Sequence, residues 1–243
     1  MPLFSIITVS YNSEKTITET IESVLNQTIG DFEYIIIDGV SRDRTVEIAN
    51  SYAEKFAARG VPFRVISEKD NGMYDAINKG ISHSRGEIVG VINSDDYYNT
   101  DALEKVRAFR QKEPFDLMYA DVRVFGGSID YIKRSKHTRR FNTRYWNHPT
   151  TFVTRTVYDE FRFACESIYD DLDFMLTAIE RKKNIKILNQ VLANFRIGGV
   201  SNQRSWRRRT ERIRLRNRIY KKHHQNGYRF NNWMIETAKF IFG

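Results

Sequence analysis

An α/β fold on a mostly parallel sheet is what this sequence predicts, and three observations predict it. Short β-prone apolar runs alternate with segments of helical period. Acidic residues stand directly behind several of those runs. The charge divides into a near-neutral body and a basic end. Apolar runs of strand length suit strands covered on both faces, and strands alternating with helices imply right-handed βαβ units.

The elements follow in order. Phe4 to Val9 reads as the first strand. Ile17, Ile21, Val24, Leu25 and Thr28 then recur at helical spacing, with Thr16 and Glu19 placed to form a capping box. Tyr34 to Ile37 is the second strand, and Val46, Ala49, Tyr52, Ala53 and Phe56 predict the helix behind it. Val61 to Ile66 and Glu87 to Ile92 are further strands, separated by the start of a helix over Gly72 to Gly80. Leu103, Val106 and Phe109 predict a helix behind a cap at Thr100, and Phe115 to Ala120 the next strand.

The totals agree with one large domain and an appendage. The 243 residues are 41% hydrophobic and 13% aromatic, enough for a full core. Residues 203–243 hold 12 of the 39 Lys+Arg and 2 of the 30 Asp+Glu, which leaves 27 basic against 28 acidic side chains in 1–202. A nucleic-acid-binding body is disfavoured by that balance. The one cysteine, Cys165, excludes an internal disulfide framework and reads as a small buried apolar residue. No apolar run approaches the ~18–20 residues of a membrane span. With no basic patch ahead of an apolar stretch at the N-terminus, a cytoplasmic address is expected.

In a parallel sheet, ligands sit at the carboxyl ends of the strands. Those ends carry Ser10-Tyr11-Asn12, Asp38-Gly39, Glu68 to Gly72 and Ser94-Asp95-Asp96. Neither G-x-G-x-x-G after the first strand nor G-x-x-x-x-G-K-[ST] occurs, which argues against a dinucleotide oxidoreductase and a Walker-type nucleotidase. Adjacent carboxylates such as Asp95-Asp96 are hard oxygen ligands for Mg²⁺ or Mn²⁺. The helix beginning near Gly72 offers backbone N–H groups to a phosphate. Together these point to a nucleotide-diphosphate site with a bridging metal.

The same residues carry a resemblance. Ser5 to Asn12, Ile37 to Thr45, Glu68 to Gly80 and Asn93 to Asp96, in this order and spacing, resemble family 2 glycosyltransferases of the GT-A fold. The likeness runs to about residue 125, continues more weakly to about 202, and is nearest to bacterial enzymes of capsule, exopolysaccharide or O-antigen synthesis. It implies a GT-A domain over 1–202, with a nucleotide-sugar half (1–125), an acceptor half (126–202) and a basic helical extension over 203–243.

The resemblance also implies roles. Thr8, Tyr11 and Asp38 would line the nucleoside pocket, with Asp38 accepting from the base and Asp95 near the ribose. Asp96 would hold the Mn²⁺ or Mg²⁺. Asn12, Asp70 and Asn78 belong to the donor motifs, and Lys69 or Lys79 would meet phosphate charge. Val40, Arg44 and Ile77 depart from the usual motifs, and Thr177 stands where an Arg is common.

For the acceptor half, Ser167 to Leu176 is similar to the family's acid-Asp-x-Asp segment before an apolar helix, whose buried face would be Leu172, Met175, Leu176 and Ile179. That implies Asp171 as the base of an inverting transfer, with Asp170 and Asp173 as its fallbacks. Asn147 to Phe152 resembles the family's His-containing strand, placing His148 on the acceptor or leaving-group side with Asp170. Phe195 to Ser201 matches a segment near the active site of relatives.

From Arg204 to Lys222 there are ten basic residues and one acid. Phe230, Trp233, Met234, Thr237, Ala238 and Ile241 then recur at helical spacing. A basic stretch before an aromatic-bearing helix reads as an anchor on an anionic leaflet, here the inner face of the plasma membrane. Packing on its own domain, or on a second subunit of a homodimer, is the other reading. The expected partners are a nucleotide-diphospho-sugar, with UDP-sugars favoured, and a saccharide or lipid-linked acceptor. A metal-dependent nucleotidyltransferase, or nucleic-acid binding by the tail, are the competing function classes.

Overall fold

Phe4 to Ser10 are buried at every position, which requires a strand covered on both faces. The computed structural model describes residues 1–138, 141, 143–198 and 206–225, with Trp233, Met234 and Thr237 beyond them. The first half contains β1 (Phe4–Ser10), α1 (Ile17–Leu25), β2 (Phe32–Asp38), α2 (Thr45–Asn50), α3 (Ala53–Ala58), β3 (Phe63–Ser67), α4 (Met73–His83), β4 (Ile88–Asn93) and β5 (Tyr97–Tyr98). There follow α5 (Ala102–Lys112), β6 (Leu117–Gly126), β7 (Ile129–Lys133), β8 (Phe152–Thr154), α6 (Arg155–Glu160), α7 (Asp170–Glu180), β9 (Ile185–Arg196) and α8 (Trp206–Lys222).

The strand order is β3-β2-β1-β4-β8-β6-β9-β5, with β7 on β6. β3, β2, β1 and β4 run parallel. β8 is antiparallel between β4 and β6, and β6 pairs in parallel with β9. Successive side chains of a strand point to opposite faces, and the core follows that period. Ile6, Tyr34, Ile36 and Ile92 pack with Ile21 of α1, Phe56 of α3 and Leu103 of α5. Ile7, Ile35, Ile37 and Val91 pack with Ile77 of α4 and Phe174 and Met175 of α7. α4 lies directly on β1: a Cβ at Gly80 would stand 2.5 Å from Cγ2 of Ile7.

Several sequence expectations need correction. Thr16 makes no side-chain cap bond, its hydroxyl turning to the Ser13 carbonyl at 3.5 Å, and Glu19 pairs with Arg196 of β9 instead of closing the box. The helix after Thr100 is preceded by Asp101, while the Thr100 carbonyl accepts from Thr28 N at 2.9 Å. The helix expected over 46–56 is broken into α2 and α3 at Ser51, whose hydroxyl turns back to the Ile48 carbonyl at 2.7 Å. β6 continues past Ala120 to Gly126, because β7 and β9 both pair with its outer half. Cys165 is exposed rather than buried, at φ 59° in the loop before α7.

α8 docks on the body. Ile219 and Tyr220 pack against Leu172 and Leu176 of α7. Arg216 is buried and donates to Thr143 Oγ1 at 2.7 Å. His223, just beyond the helix, lies 2.9 Å from both Asp173 and Glu180 of α7. Arg214, Arg218 and Lys221 are exposed. Among the described residues no helix is long and apolar enough to cross a membrane. Gly199 to Ser201, and the 230–241 pattern apart from Trp233, Met234 and Thr237, lie outside the described residues.

Candidate active site

The four parallel strands end together, and their loops are bonded into one shelf. Asp38, at the end of β2, is fully buried. Its Oδ1 accepts from Ser10 Oγ at 3.1 Å and Ser41 Oγ at 2.5 Å, and its Oδ2 from Ser41 N at 2.9 Å and Ser67 Oγ at 2.8 Å. Four donors fill the acceptor sites of a carboxylate. Four donors thus surround the carboxylate expected to meet the nucleobase, and the residue supports the shelf from beneath. Thr8 is also below it, buried with its hydroxyl accepting from Tyr34 at 2.9 Å, and does not line the cleft.

Above the shelf, Tyr11 is 60% exposed. A side chain at Gly39 would meet Asp70 Oδ2 at 2.5 Å and the Tyr11 ring at 3.5 Å, so the glycine admits both groups. Asp70 Oδ1 accepts from Gly72 N at 2.8 Å. Asn12 is in the left-handed region at φ 50°, and its Oδ1 holds Arg42 N at 2.8 Å. Lys69 is exposed, while Lys79 donates to its carbonyl at 2.6 Å and pairs with Glu68 at 3.2 Å. Asn78 points away from the donor side: its amide donates to the Phe163 carbonyl at 2.8 Å and ties the loop before α7 to α4.

The turn after β4 is clamped from two sides. Thr20 of α1 donates to the Asp96 carbonyl at 2.6 Å, and Arg196 N of β9 donates to Asp96 Oδ1 at 2.9 Å. Arg196 also donates from Nε to the Asp95 carbonyl at 3.2 Å and stacks on Phe125 at 4.7 Å. Asp96 is fully buried, and its Oδ2 has no partner. Burial pushes its carboxyl well above the ordinary aspartate range, with Asp95 adding to the shift. Asp95 is half-exposed, and burial raises it too.

Among the described residues no group of three His, Cys, Asp or Glu cages a metal. The pair fits a divalent ion of a different habit, one that takes one or two carboxylates and fills its shell with water and diphosphate. A partnerless carboxylate oxygen beside a second acid is what such an ion would relieve.

The second centre lies on the α4/α7 face of the sheet. Of the three acids opening α7, two are committed to structure. Asp170 accepts from Glu166 N and Ser167 N, both at 2.8 Å, and so ties down the loop that precedes α7. Asp173 lies 2.9 Å from both Lys222 and His223. Asp171 remains. Its Oδ1 accepts from Leu172 N at 2.7 Å, and it borders a cavity of about 10 Å³ with Val91, Trp146, His148, Tyr158 and Phe174. Burial pushes the Asp171 carboxyl up; His148 opposes that shift. His148 is pushed down by burial, stands in a short 3₁₀ turn rather than the expected strand, and leaves Nε2 without a partner. β4 supplies Val91 to this cavity, and the turn just beyond its end carries Asp95. Sequence reasoning gave no role to Arg196, although it lies inside a motif it quoted.

A Rossmann-like sheet whose strand ends gather acids over a loop shelf, with a buried carboxylate on an adjoining helix, defines a class: α/β enzymes that handle a nucleotide-linked substrate. The chain belongs to glycosyl transferase family 2, whose model matches residues 5–171. A PGL/p-HBAD biosynthesis glycosyltransferase of Mycobacterium bovis (strain BCG / Pasteur 1173P2) is 36% identical over 137 residues, covering 53% of this chain and 52% of that protein. The uncharacterized glycosyltransferase EpsJ of Bacillus subtilis is 35% identical over 118 residues, covering 49% of this chain and 33% of EpsJ. The chain thus spans about half the length of its mycobacterial relatives. Among solved structures, S. aureus TarS in complex with UDP-GlcNAc matches with a TM-score of 0.74 at 21% identity, over 100% of this chain and 74% of that one. The mannosyltransferase PcManGT of Pyrobaculum calidifontis, with GDP-Man and Mn²⁺, gives 0.69 at 16%, over 100% and 70%. At these identities the likeness establishes the fold, which is GT-A.

Proposed function

We propose that this chain is an inverting glycosyltransferase that moves a sugar from a nucleotide-diphospho-sugar to a hydroxyl of a saccharide or lipid-linked acceptor in bacterial surface polysaccharide synthesis. The observation that carries this reading is the pair of carboxylate centres reached by one strand: Asp95 and Asp96 at the end of β4, and Asp171 beside Val91. Tyr11 and Asp70 are the side chains that meet the nucleobase. UDP is the favoured nucleotide, in keeping with the UDP-GlcNAc named for TarS.

Asp171 takes the proton of the acceptor hydroxyl as that oxygen bonds to the anomeric carbon. The bond from that carbon to the diphosphate breaks in the same displacement, and its electron pair leaves with the nucleoside diphosphate. A bound Mn²⁺ or Mg²⁺ would supply Lewis-acid stabilisation of that charge. Asp95, half-exposed, and Asp96, the ligand implied by resemblance, are the carboxylates that would hold it. Arg196 holds the turn so that both acids keep their places.

α8 serves this chemistry by carrying charge. One face packs on α7, and Arg214, Arg218 and Lys221 stand exposed toward an anionic membrane surface. Co-sedimentation with phosphatidylglycerol vesicles, lost in high salt and in a triple Ala variant at these positions, is the expected result.

Thermal unfolding with UDP-GlcNAc and Mn²⁺ tests the donor site, because a ligand that binds only the native state raises its stability. The shift should vanish in Asp95→Ala and persist in Asp171→Asn, whose turnover should fall about 10²–10⁴-fold, the usual contribution of a general base. Normal turnover in Asp171→Asn removes the base from this reading.

A further inference from the structure

α8 sends one cation inward. Arg216 is 2% exposed, while Arg214 and Arg218 on either side of it are exposed. A guanidinium stays charged at any working pH, so burying one is costly unless its donors are used. Arg216 uses them between two segments of the body. Its Nη2 donates to Thr143 Oγ1 at 2.7 Å, and its guanidinium carbon stands over the Tyr169 ring at 5.4 Å.

Those two segments carry opposite walls of the base pocket. Thr143 opens a 3₁₀ turn over Thr143–Tyr145, and its carbonyl accepts from Trp146 N at 3.4 Å. Trp146 and His148, just beyond that turn, border the cavity with Asp171. Tyr169 directly precedes α7, and its carbonyl accepts from Asp173 N at 3.2 Å, closing the turn that contains Asp171. Apolar contacts run beside this link: Phe141 lies 6.0 Å from the Trp146 ring and packs with Tyr169 on the Leu172 and Leu176 cluster. α8 has other anchors too, Ile219 and Tyr220 on that cluster and Lys222 and His223 on Asp173.

We propose that Arg216 is a positioning residue for the base pocket, resting on the reading of Asp171 as base. Hydrophobic contact is non-directional and sets no exact spacing between the two walls. A hydrogen bond to one wall and a ring contact to the other, made by one rigid guanidinium, do set it. Arg216 thereby holds the Trp146 to His148 wall at a fixed distance from the Asp171 carboxylate. It takes no proton and touches no substrate. Spacing matters here because a misplacement of about 1 Å can cost a catalytic group some 10²-fold in rate. The helix that exposes Arg214, Arg218 and Lys221 is then also the one that completes the acceptor pocket.

Three substitutions in the full chain separate positioning from packing. Arg216→Met keeps the apolar stem, and Arg216→Lys keeps a cation and a donor. Thr143→Val breaks the same contact from the body, where α8 is left untouched. UDP release from UDP-GlcNAc with Mn²⁺ should fall about tenfold in kcat in Arg216→Met and in Thr143→Val, with donor KM unchanged. The double variant should lose little more than either single one, since both remove one contact. Arg216→Lys should recover part of the loss, which a role in apolar packing would not allow. The indole N–H resonance of Trp146, identified by its absence in Trp146→Phe and read without substrate, should move in both Arg216→Met and Thr143→Val. Additive losses, a Lys variant no better than the Met variant, or an unmoved indole resonance overturns the inference. Normal turnover in Asp171→Asn removes the base and this inference with it. Loss there beside wild-type turnover in Arg216→Met and Thr143→Val removes the inference alone.

Discussion

The donor shelf and the acceptor pocket treat carboxylates in opposite ways. Asp38 is fully buried among four donors, and the surrounding loops inherit its geometry. Asp171 is set among Trp146, Tyr158 and Phe174, with few donors and a raised pKa. Saturation makes an acid structural, whereas scarcity of donors leaves it reactive. The contrast separates residues that share a motif: Asp170 falls on the saturated side and Asp171 on the sparse one.

The largest expected effect breaks the sparse side. Asp171→Asn should cost about 10²–10⁴-fold in turnover while leaving the unfolding midpoint nearly unchanged. In the wild type, transfer should decline on acidification through a pH above the ordinary aspartate range, because the base must be ionised and burial favours its protonated form. A pH–rate profile flat to the ordinary range would contradict that assignment.

Next comes the saturated side. Asp38→Ala strands four buried or half-buried donors and should destabilise the fold by about 2–4 kcal/mol in a urea titration. A small loss there would mean that water or ligand, not Asp38, satisfies the shelf. Tyr220→Ala, which strips α8 from Leu172 and Leu176, should cost about 2–4 kcal/mol. It should also loosen Asp173 without a matching fall in donor affinity. Gly80→Ala should cost about 1–3 kcal/mol, since the added methyl meets Ile7 on the strand beneath the shelf.

The smallest change relieves the shelf. Val40 is β-branched, 51% exposed and held at φ 61°. A left-handed conformation costs an ordinary residue roughly 1–2 kcal/mol, partly offset in a glycine variant by backbone entropy. Val40→Gly should therefore stabilise by at most about 1 kcal/mol, read as a rise in Tm. If it also weakens UDP-GlcNAc binding, Val40 is held in strain for the sake of a ligand contact.

Much of the fold was legible because burial on both sheet faces writes continuous apolar runs, as in Phe4 to Val9 and Tyr34 to Ile37. The acids at the strand ends were legible for a related reason: a charged residue directly after a buried strand marks where the sheet meets solvent. Period and composition carry that information locally. The helix break at Ser51 and the unused cap at Thr16 were not legible, since each depends on a partner distant in the chain or on competition for a carbonyl.

By itself, then, the sequence determined the layered α/β body, the strand-end acids and the separation of a basic helix from a neutral domain. Only the tertiary structure decided which acids are spent and which are free. Asp38 draws donors from Ser10 and Ser67 at the ends of other strands, Asp96 keeps one oxygen unpartnered, and Asp171 borders a cavity with Val91 of β4 and with His148. It also decided that α8 uses one face on α7 before it can offer the other to a surface. The physical reason is the same in each case. A carboxylate's chemistry is set by the donors and the solvent around it, and those are assembled by folding rather than by neighbours in sequence.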